Sequence, residues 1–181
     1  EFTFEKPKNI HTRIALFGDS FTCGEDVPYN FGMGNMLKEF TNNTQVINFC
    51  VGGRGIDAMY GRYVIEAKEY NPDIVIFNIL IDDLQRPFTC ILRNMNLTVV
   101  NNKLIIGPRK YPTLKDFYIN YKKPYFESYF FKHILGVYNA YTRYRNDMEK
   151  GMNLFNTMLD EMQVQTRQHN SSFLVTLIQE N

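Results

Sequence analysis

The sequence has almost no net charge, few cysteines and histidines, and no tryptophan. Its 20 basic and 19 acidic residues give a formal charge of +1 over 181 residues. Nucleic-acid-binding domains concentrate positive charge, so this balance gives no support for a nucleic-acid partner. No apolar run approaches the ~18 residues that a membrane-spanning helix needs. Residues Glu1–Lys8 also lack the apolar segment of a secretion signal.

The three cysteines, Cys23, Cys50 and Cys90, are too few and odd in number for a disulfide framework. No Cys-x-x-Cys or His-x-x-x-His pair occurs, so the sequence predicts no zinc site. Cys23 and Cys50 follow the first two predicted strands, where a bridge could form. Two buried free thiols are nevertheless the preferred interpretation.

Short apolar runs alternate with amphipathic segments in the first half of the chain. We predict strands over Arg13–Phe17, Gln45–Phe49 and Ile74–Ile81, and helices over Phe31–Phe40 and Ile56–Tyr70. This β-α-β-α-β order predicts an α/β fold with three layers, a flavodoxin-like parallel sheet with helices on both faces. The length suits a single domain over residues 1–181.

The pattern breaks after the third strand. Leu97–Val100 and Lys103–Ile106 flank two asparagines, which favours a hairpin because asparagine tolerates positive φ. We interpret residues 88–137 as an aromatic-rich excursion from the sheet. It is either a lid over a pocket or, as we prefer, a surface insertion whose aromatic residues cover the core. A helix over about Asn146–His169 and a fourth strand at Phe173–Ile178 are expected to complete the pattern.

Polar or glycine-rich residues follow each of the first three strands. They are Gly18-Asp19-Ser20, Gly52-Gly53-Arg54-Gly55 and Asp82-Asp83. Because the carboxyl ends of parallel strands share one sheet edge, we expect these segments to meet. The Ser20 hydroxyl could there attack a carbonyl carbon, while the N–H groups of Ser20 and Gly53 face the developing oxyanion.

The same segments resemble the sequence blocks of the SGNH (GDSL-type) hydrolases. Gly18-Asp19-Ser20-Phe21-Thr22 is similar to the first block, and Asn48–Gly55 is similar to the second. The resemblance implies Ser20 as the nucleophile, Gly53 as an oxyanion donor, and no metal or organic cofactor. Asp82 stands where the family has an oxyanion asparagine. A carboxylate cannot donate a hydrogen bond, so Asp82 would serve there only when protonated.

Three further residues of these blocks are expected to line the substrate-binding site: Asp19, Gly55 and Asp83. Asp19 is also expected to brace its turn through hydrogen bonds to the backbone. A plain tight turn is an alternative interpretation for the glycines. The alternative for Asp82 and Asp83 is a solvated strand end or a helix cap.

No general base can be identified. The family resemblance places an Asp-x-x-His block beyond the fourth strand, and this pattern does not occur in the sequence. His11 and His169 precede strands, so we expect them at the opposite sheet edge, more than a strand length (about 17 Å) from Ser20. His133 lies in the excursion and could fold over the site as the base, but we expect it to be structural, because a lone histidine in an aromatic segment is more often so. We interpret the chain as lacking the C-terminal part of a longer domain, with a natural variant without the base as the alternative.

The resemblance implies a serine esterase or acyl transferase for small, acetyl-like esters of carbohydrate or lipid. The partner would be a small-molecule or glycan ester, and the resemblance favours an extracytoplasmic or secreted location. A non-catalytic glycan- or ligand-binding module on the same scaffold is the main alternative, motivated by the aromatic excursion and the missing base. A flavodoxin-like cofactor or phosphate binder is a weaker one, since the loop after strand 1 carries no basic residue. The sequence does not indicate an oligomeric state.

Overall fold

A computed structural model describes residues 3–39, 42–89, 97–101, 103–107 and 129–178, and only the backbone of residues 129–145. The strands are β1 (Thr12–Phe17), β2 (Thr44–Asn48), β3 (Ile74–Leu80), β4 (Leu97–Val100), β5 (Lys103–Ile106) and β6 (Ser172–Ile178). The helices are α1 (Ser20–Cys23), α2 (Met33–Glu39), α3 (Ile56–Ile65), α4 (Arg86–Thr89) and α5 (Tyr129–Gln168). Short 3₁₀ turns occur at Tyr29–Phe31, Ala67–Tyr70 and Ile81–Leu84.

Four strands form a parallel sheet in the order β2-β1-β3-β6. The long apolar run of β3 suits an interior strand, because both of its faces can pack against other elements. Side chains from α3 and α5 join the core on one face of the sheet, where Phe17, Phe77 and Met158 are fully buried. On the other face, Met33 and Leu37 of α2 pack against β1 and β2. The predicted three-layer α/β fold is thus confirmed.

The second half of the chain differs in detail from its prediction. The β4–β5 hairpin is antiparallel, and Asn101 takes the positive φ of 51° that its turn requires. Leu97 packs into the main core, whereas the tyrosines and phenylalanines of residues 108–128 lie outside the described residues. Helix α5 begins at Tyr129, well before the expected Asn146. The end of the predicted excursion is therefore helical.

A glycine allows α5 to lie directly against the turn that follows β3. A Cβ atom added to Gly151 would come 2.1 Å from the carbonyl oxygen of Leu84 and 2.7 Å from its carbonyl carbon. Because these are backbone atoms, they cannot move aside as a flexible side chain would. This contact fixes the long helix against the 3₁₀ turn Ile81–Leu84.

Arg13 is completely buried at the amino-terminal edge of the sheet. Its guanidinium donates hydrogen bonds to the carbonyl oxygens of Phe4 (2.8 Å), Glu5 (2.9 Å) and Tyr70, and to Gln45 Oε1 (2.7 Å). A buried cation needs such partners, since it has lost its water. The segment before β1 is thereby attached to the sheet.

No helix in the described ranges combines the length and the hydrophobicity required to cross a bilayer.

Candidate active site

Ser20 is the first residue of α1, directly after the turn that ends β1. The Asp19 carboxylate caps this one-turn helix by accepting a hydrogen bond from the Phe21 N–H at 3.0 Å. The Ser20 side chain is partly exposed, and its hydroxyl makes no hydrogen bond to any described residue. The structure therefore places an unengaged hydroxyl at the carboxyl-terminal edge of the sheet.

A buried hydrogen bond attaches α1 to strand β3 of the sheet. The Asn78 amide of β3 donates to Thr22 Oγ1 at 2.9 Å, and its oxygen accepts from Thr176 Oγ1 at 2.7 Å. Gly18 must be glycine here, because a Cβ atom would come 1.9 Å from Thr22 Oγ1. Sequence analysis missed Asn78, although a polar residue within the apolar run of β3 was a usable signal.

The glycine loop after β2 meets the Ser20 turn. The Val51 N–H donates to the Gly18 carbonyl oxygen at 3.0 Å. Gly53 has a φ of 65°, a conformation that favours glycine. Its N–H makes no hydrogen bond within the described part of the chain. The two N–H groups named from the sequence, of Ser20 and Gly53, therefore belong to neighbouring loops.

Cys23 and Cys50 form a disulfide between these loops, with their Cα atoms 5.4 Å apart. The expectation of two free buried thiols is therefore wrong. The reason is topological: β1 and β2 are adjacent parallel strands, so the segments that follow them come within disulfide distance.

Arg86, which sequence analysis missed, connects all three loops. Its guanidinium pairs with the Asp19 carboxylate at 2.9 Å and with the Asp83 carboxylate. It also donates to the Arg54 carbonyl oxygen at 3.3 Å. The Asp83 carboxylate accepts a second hydrogen bond, from the Leu80 N–H at 3.0 Å. A single cation thus holds the ends of β1, β2 and β3 together.

Three residues expected to line the substrate-binding site, Asp19, Gly55 and Asp83, make close contacts within the protein. The carboxylates of Asp19 and Asp83 are fully buried in their ion pairs with Arg86. Gly55 faces the same cluster, because a Cβ atom on it would lie 2.7 Å from the Asp83 carbonyl oxygen. Their burial gives no support for direct substrate contact and indicates that they position the loops. The exposed Asp82 accepts a hydrogen bond from the Gln85 side chain at 3.1 Å.

None of the histidines with described side chains lies near Ser20. His11 comes directly before β1, and His169 lies in the turn between α5 and β6, so both are at the opposite edge of the sheet. The side chain of His133 lies outside the described residues. The described part of the candidate site therefore contains the Ser20 hydroxyl and the Ser20 and Gly53 N–H groups, with no described histidine side chain beside them.

Burial raises the pKa of Asp83 to about 7, from 3.8 for a free aspartate, although the Leu80 N–H and the charge of Arg86 act to lower it. Between about pH 4 and pH 7 the folded protein therefore binds a proton that the unfolded chain has lost. The contribution of Asp83 to stability must fall as the pH rises through this range and level off above it.

Asp83→Asn removes this titration and keeps an acceptor for the Leu80 N–H. We expect the unfolding free energy of the native protein, measured relative to this variant, to fall as the pH rises from about 4 to 7. Urea unfolding at several pH values tests this expectation. A constant difference between the two proteins across that range would contradict it.

A protein-family model described as GDSL-like Lipase/Acylhydrolase matches residues 14–178. Among solved structures, the crystal structure of TesA is 18% identical over 41% of this chain and 43% of its own, with a TM-score of 0.37. The matched region therefore spans less than half of the TesA chain. Axe2-W215I, an acetyl xylan esterase from Geobacillus stearothermophilus, is 16% identical over 91% of this chain and 76% of its own, with a TM-score of 0.36. No curated protein matches the sequence significantly.

Proposed function

We propose, because this chain belongs to the GDSL-like lipase/acylhydrolase family, that Ser20 is the nucleophile of an ester hydrolase or acyl transferase. The substrates would be small, acetyl-like esters of carbohydrate or lipid. The observation that carries the proposal is the meeting of two loops that carry the Ser20 hydroxyl and the Gly53 N–H, neither of which bonds to another described residue.

In the proposed reaction, Ser20 Oγ attacks the acyl carbon and its proton passes to a base. The carbonyl oxygen becomes an oxyanion that accepts hydrogen bonds from the Ser20 and Gly53 N–H groups, each worth about 3 kcal/mol of barrier. Collapse of this intermediate expels the alcohol, which takes the proton from the base. Water then releases the acyl group as an acid, or a second alcohol accepts it as an ester.

The base in this scheme has to come from outside the described residues. Among the described strands, β6 lies at one edge of the sheet, and its Leu174 and Leu177 are 50% and 69% exposed. Exposed leucines at an edge would suit a further element that packs beside β6. A base carried by such an element would complete the proposed scheme.

We expect the purified 181-residue chain to hydrolyse p-nitrophenyl acetate at close to the rate of buffer, because an unassisted serine hydroxyl is a weak nucleophile. A protein extended with the residues that follow in the parent gene should gain activity where these contain Asp-x-x-His. Ser20→Ala should abolish the gain. Rapid hydrolysis by the unextended chain that Ser20→Ala removes would reveal a base within it.

A non-catalytic binding module on the same scaffold is the second candidate, because the described residues supply no base. In that case the extended protein would lack esterase activity. It would also bind an acetylated glycan equally well in its native form and as the Ser20→Ala variant. Calorimetric titration of both proteins with an acetylated oligosaccharide, together with the esterase assay, decides between the two candidates.

A further inference from the structure

The Cys23–Cys50 disulfide joins the two loops that carry the proposed reacting groups. Cys23 ends α1, three residues after Ser20, and Cys50 follows β2, three residues before Gly53. One covalent bond therefore links the turn that carries Ser20 to the loop that carries Gly53, with only a few residues between the bond and either group.

Arg86 restrains both loops through Asp19 and the Arg54 carbonyl oxygen, but it does not contact Cys23, Cys50 or Gly53 in the described contacts. α1 is a single turn, which is too short to be stable by itself. Gly52 and Gly53 have more backbone freedom than other residues, so ordering them costs more entropy. The described hydrogen bonds that anchor the start of this loop are the Val51 N–H to Gly18 (3.0 Å) and the Cys50 N–H to Asn48 Oδ1 (3.0 Å). Neither of them acts on Gly53 itself.

The packing around the disulfide continues this connection. The Glu25 side chain, two residues after α1, covers Gly52, since a Cβ atom on Gly52 would lie 2.2 Å from Glu25 Oε1. The Glu25 N–H donates in turn to the Ser20 carbonyl oxygen at 3.2 Å. A change in the distance between Cys23 and Cys50 would therefore displace the residues on either side of the site.

We propose that the Cys23–Cys50 disulfide is a positioning element of the active site, which makes acyl chemistry at Ser20 dependent on the oxidised state. This inference rests on the proposed function. In the reductive step, a dithiol supplies two electrons and two protons. The S–S bond breaks, Cys23 and Cys50 become thiols, and the dithiol becomes a cyclic disulfide. The parallel pairing of β1 with β2 is independent of this bond, so the change is local.

The redox state is established first by counting thiols. In denaturant, the oxidised chain should show one reactive thiol of its three cysteines, and the reduced chain should show three. Three thiols in protein purified without reductant and exposed to air would overturn the proposal.

Amide hydrogen exchange then measures the restraint without requiring activity. We expect reduction with a dithiol to speed exchange in peptides covering residues 19–25 and 50–55 by at least about tenfold. Peptides from β3 should be unchanged. The double variant with Cys23→Ala and Cys50→Ala should show the same faster exchange without reductant. The Cys90→Ala variant should exchange as the native chain does. Equal exchange in the oxidised and reduced proteins would refute the restraint.

The reactivity of Ser20 provides the second measurement. In the extended protein, labelling by a fluorophosphonate, followed over hours by intact mass, should slow by at least about tenfold on reduction and recover on reoxidation. If the disulfide were merely structural, its reduction would lower the unfolding temperature and leave the labelling rate unchanged. That result would contradict the proposed positioning role. If neither form is labelled, the proposed nucleophile fails, and the exchange measurement still decides whether the disulfide orders the loops.

Discussion

Replacing Arg86 with methionine should lower the unfolding free energy by about 3–5 kcal/mol, because it removes the cation from two buried carboxylates. Asp19 and Asp83 have no exposed side-chain surface, and Arg86 is the cation that the structure places against both. Methionine keeps most of the volume of the arginine stem, so the loss would report on charge and hydrogen bonding. The three loops of the site would separate together.

The unfolding free energy that Arg86→Met loses should depend on pH. The pKa of Asp83 is already raised to about 7 by burial, and the charge of Arg86 is one of the influences that lower it. Without Arg86, the Asp83 carboxyl would bind a proton more readily in the folded state and so avoid a buried charge. We therefore expect a smaller loss of stability at about pH 5 than at about pH 8, measured by urea unfolding.

Arg62→Met is the matched control. Arg62 pairs with Glu66 at 3.1 Å in an ion pair whose side chains are 33% and 45% exposed, and it also donates to the Phe49 carbonyl oxygen at 3.0 Å. Such pairs contribute about 1 kcal/mol or less, because water already solvates both charges. An Arg86→Met variant that loses no more stability than Arg62→Met would contradict the assigned role of Arg86.

The second large effect is expected for Gly18→Ala. The new Cβ atom would come 1.9 Å from Thr22 Oγ1 and 2.9 Å from the Asn78 carbonyl oxygen, so α1 has to shift. Overpacking of this kind costs about 1–3 kcal/mol. Losing the buried hydrogen bond between Thr22 and Asn78 would add about 1–3 kcal/mol. Thermal unfolding measures the sum of these two losses of stability. Labelling of Ser20 by the fluorophosphonate should also become slower, because α1 carries the hydroxyl.

Gly34→Ala is the matched control for this substitution. Gly34 lies in α2, and the atom nearest to an added Cβ is Asn48 Nδ2 at 3.5 Å, an ordinary contact. Alanine is favoured over glycine in a helix by about 1 kcal/mol, so this variant should match or exceed the native stability. Equal effects of the two substitutions would show that the Gly18 turn can absorb a side chain.

Most of the sheet could be predicted from the sequence, because apolar runs such as Ile74–Leu80 carry a strong local signal. The start of α5 could not be predicted in the same way. The regularly spaced apolar residues that indicated a helix began near Asn146, whereas the helix begins at Tyr129. The meeting of the three loops followed from parallel topology alone. The ion pair that holds these loops together could not be predicted from topology, because Arg86 and its partner Asp19 lie 67 residues apart in the sequence.

The disulfide illustrates the same limit. Nothing local distinguishes a bonded Cys23 from a free one, and the bond depends on which strands are neighbours. A general base poses a similar problem, because it acts through space and any segment near the site can supply it. Sequence blocks therefore pointed to the Ser20 turn, whereas the contacts that hold this turn are visible only in three dimensions.

The buried Arg13 has a practical consequence for anyone preparing this protein. The backbone carbonyls of Phe4 and Glu5 take the place of water around its guanidinium. Proteolytic trimming up to Lys6 would strip the cation of three acceptors, because the Thr3 carbonyl oxygen also accepts from it at 3.3 Å. A shortened gene product that starts at Pro7 should therefore express poorly, even though the trimmed residues lie at the far side of the sheet from Ser20.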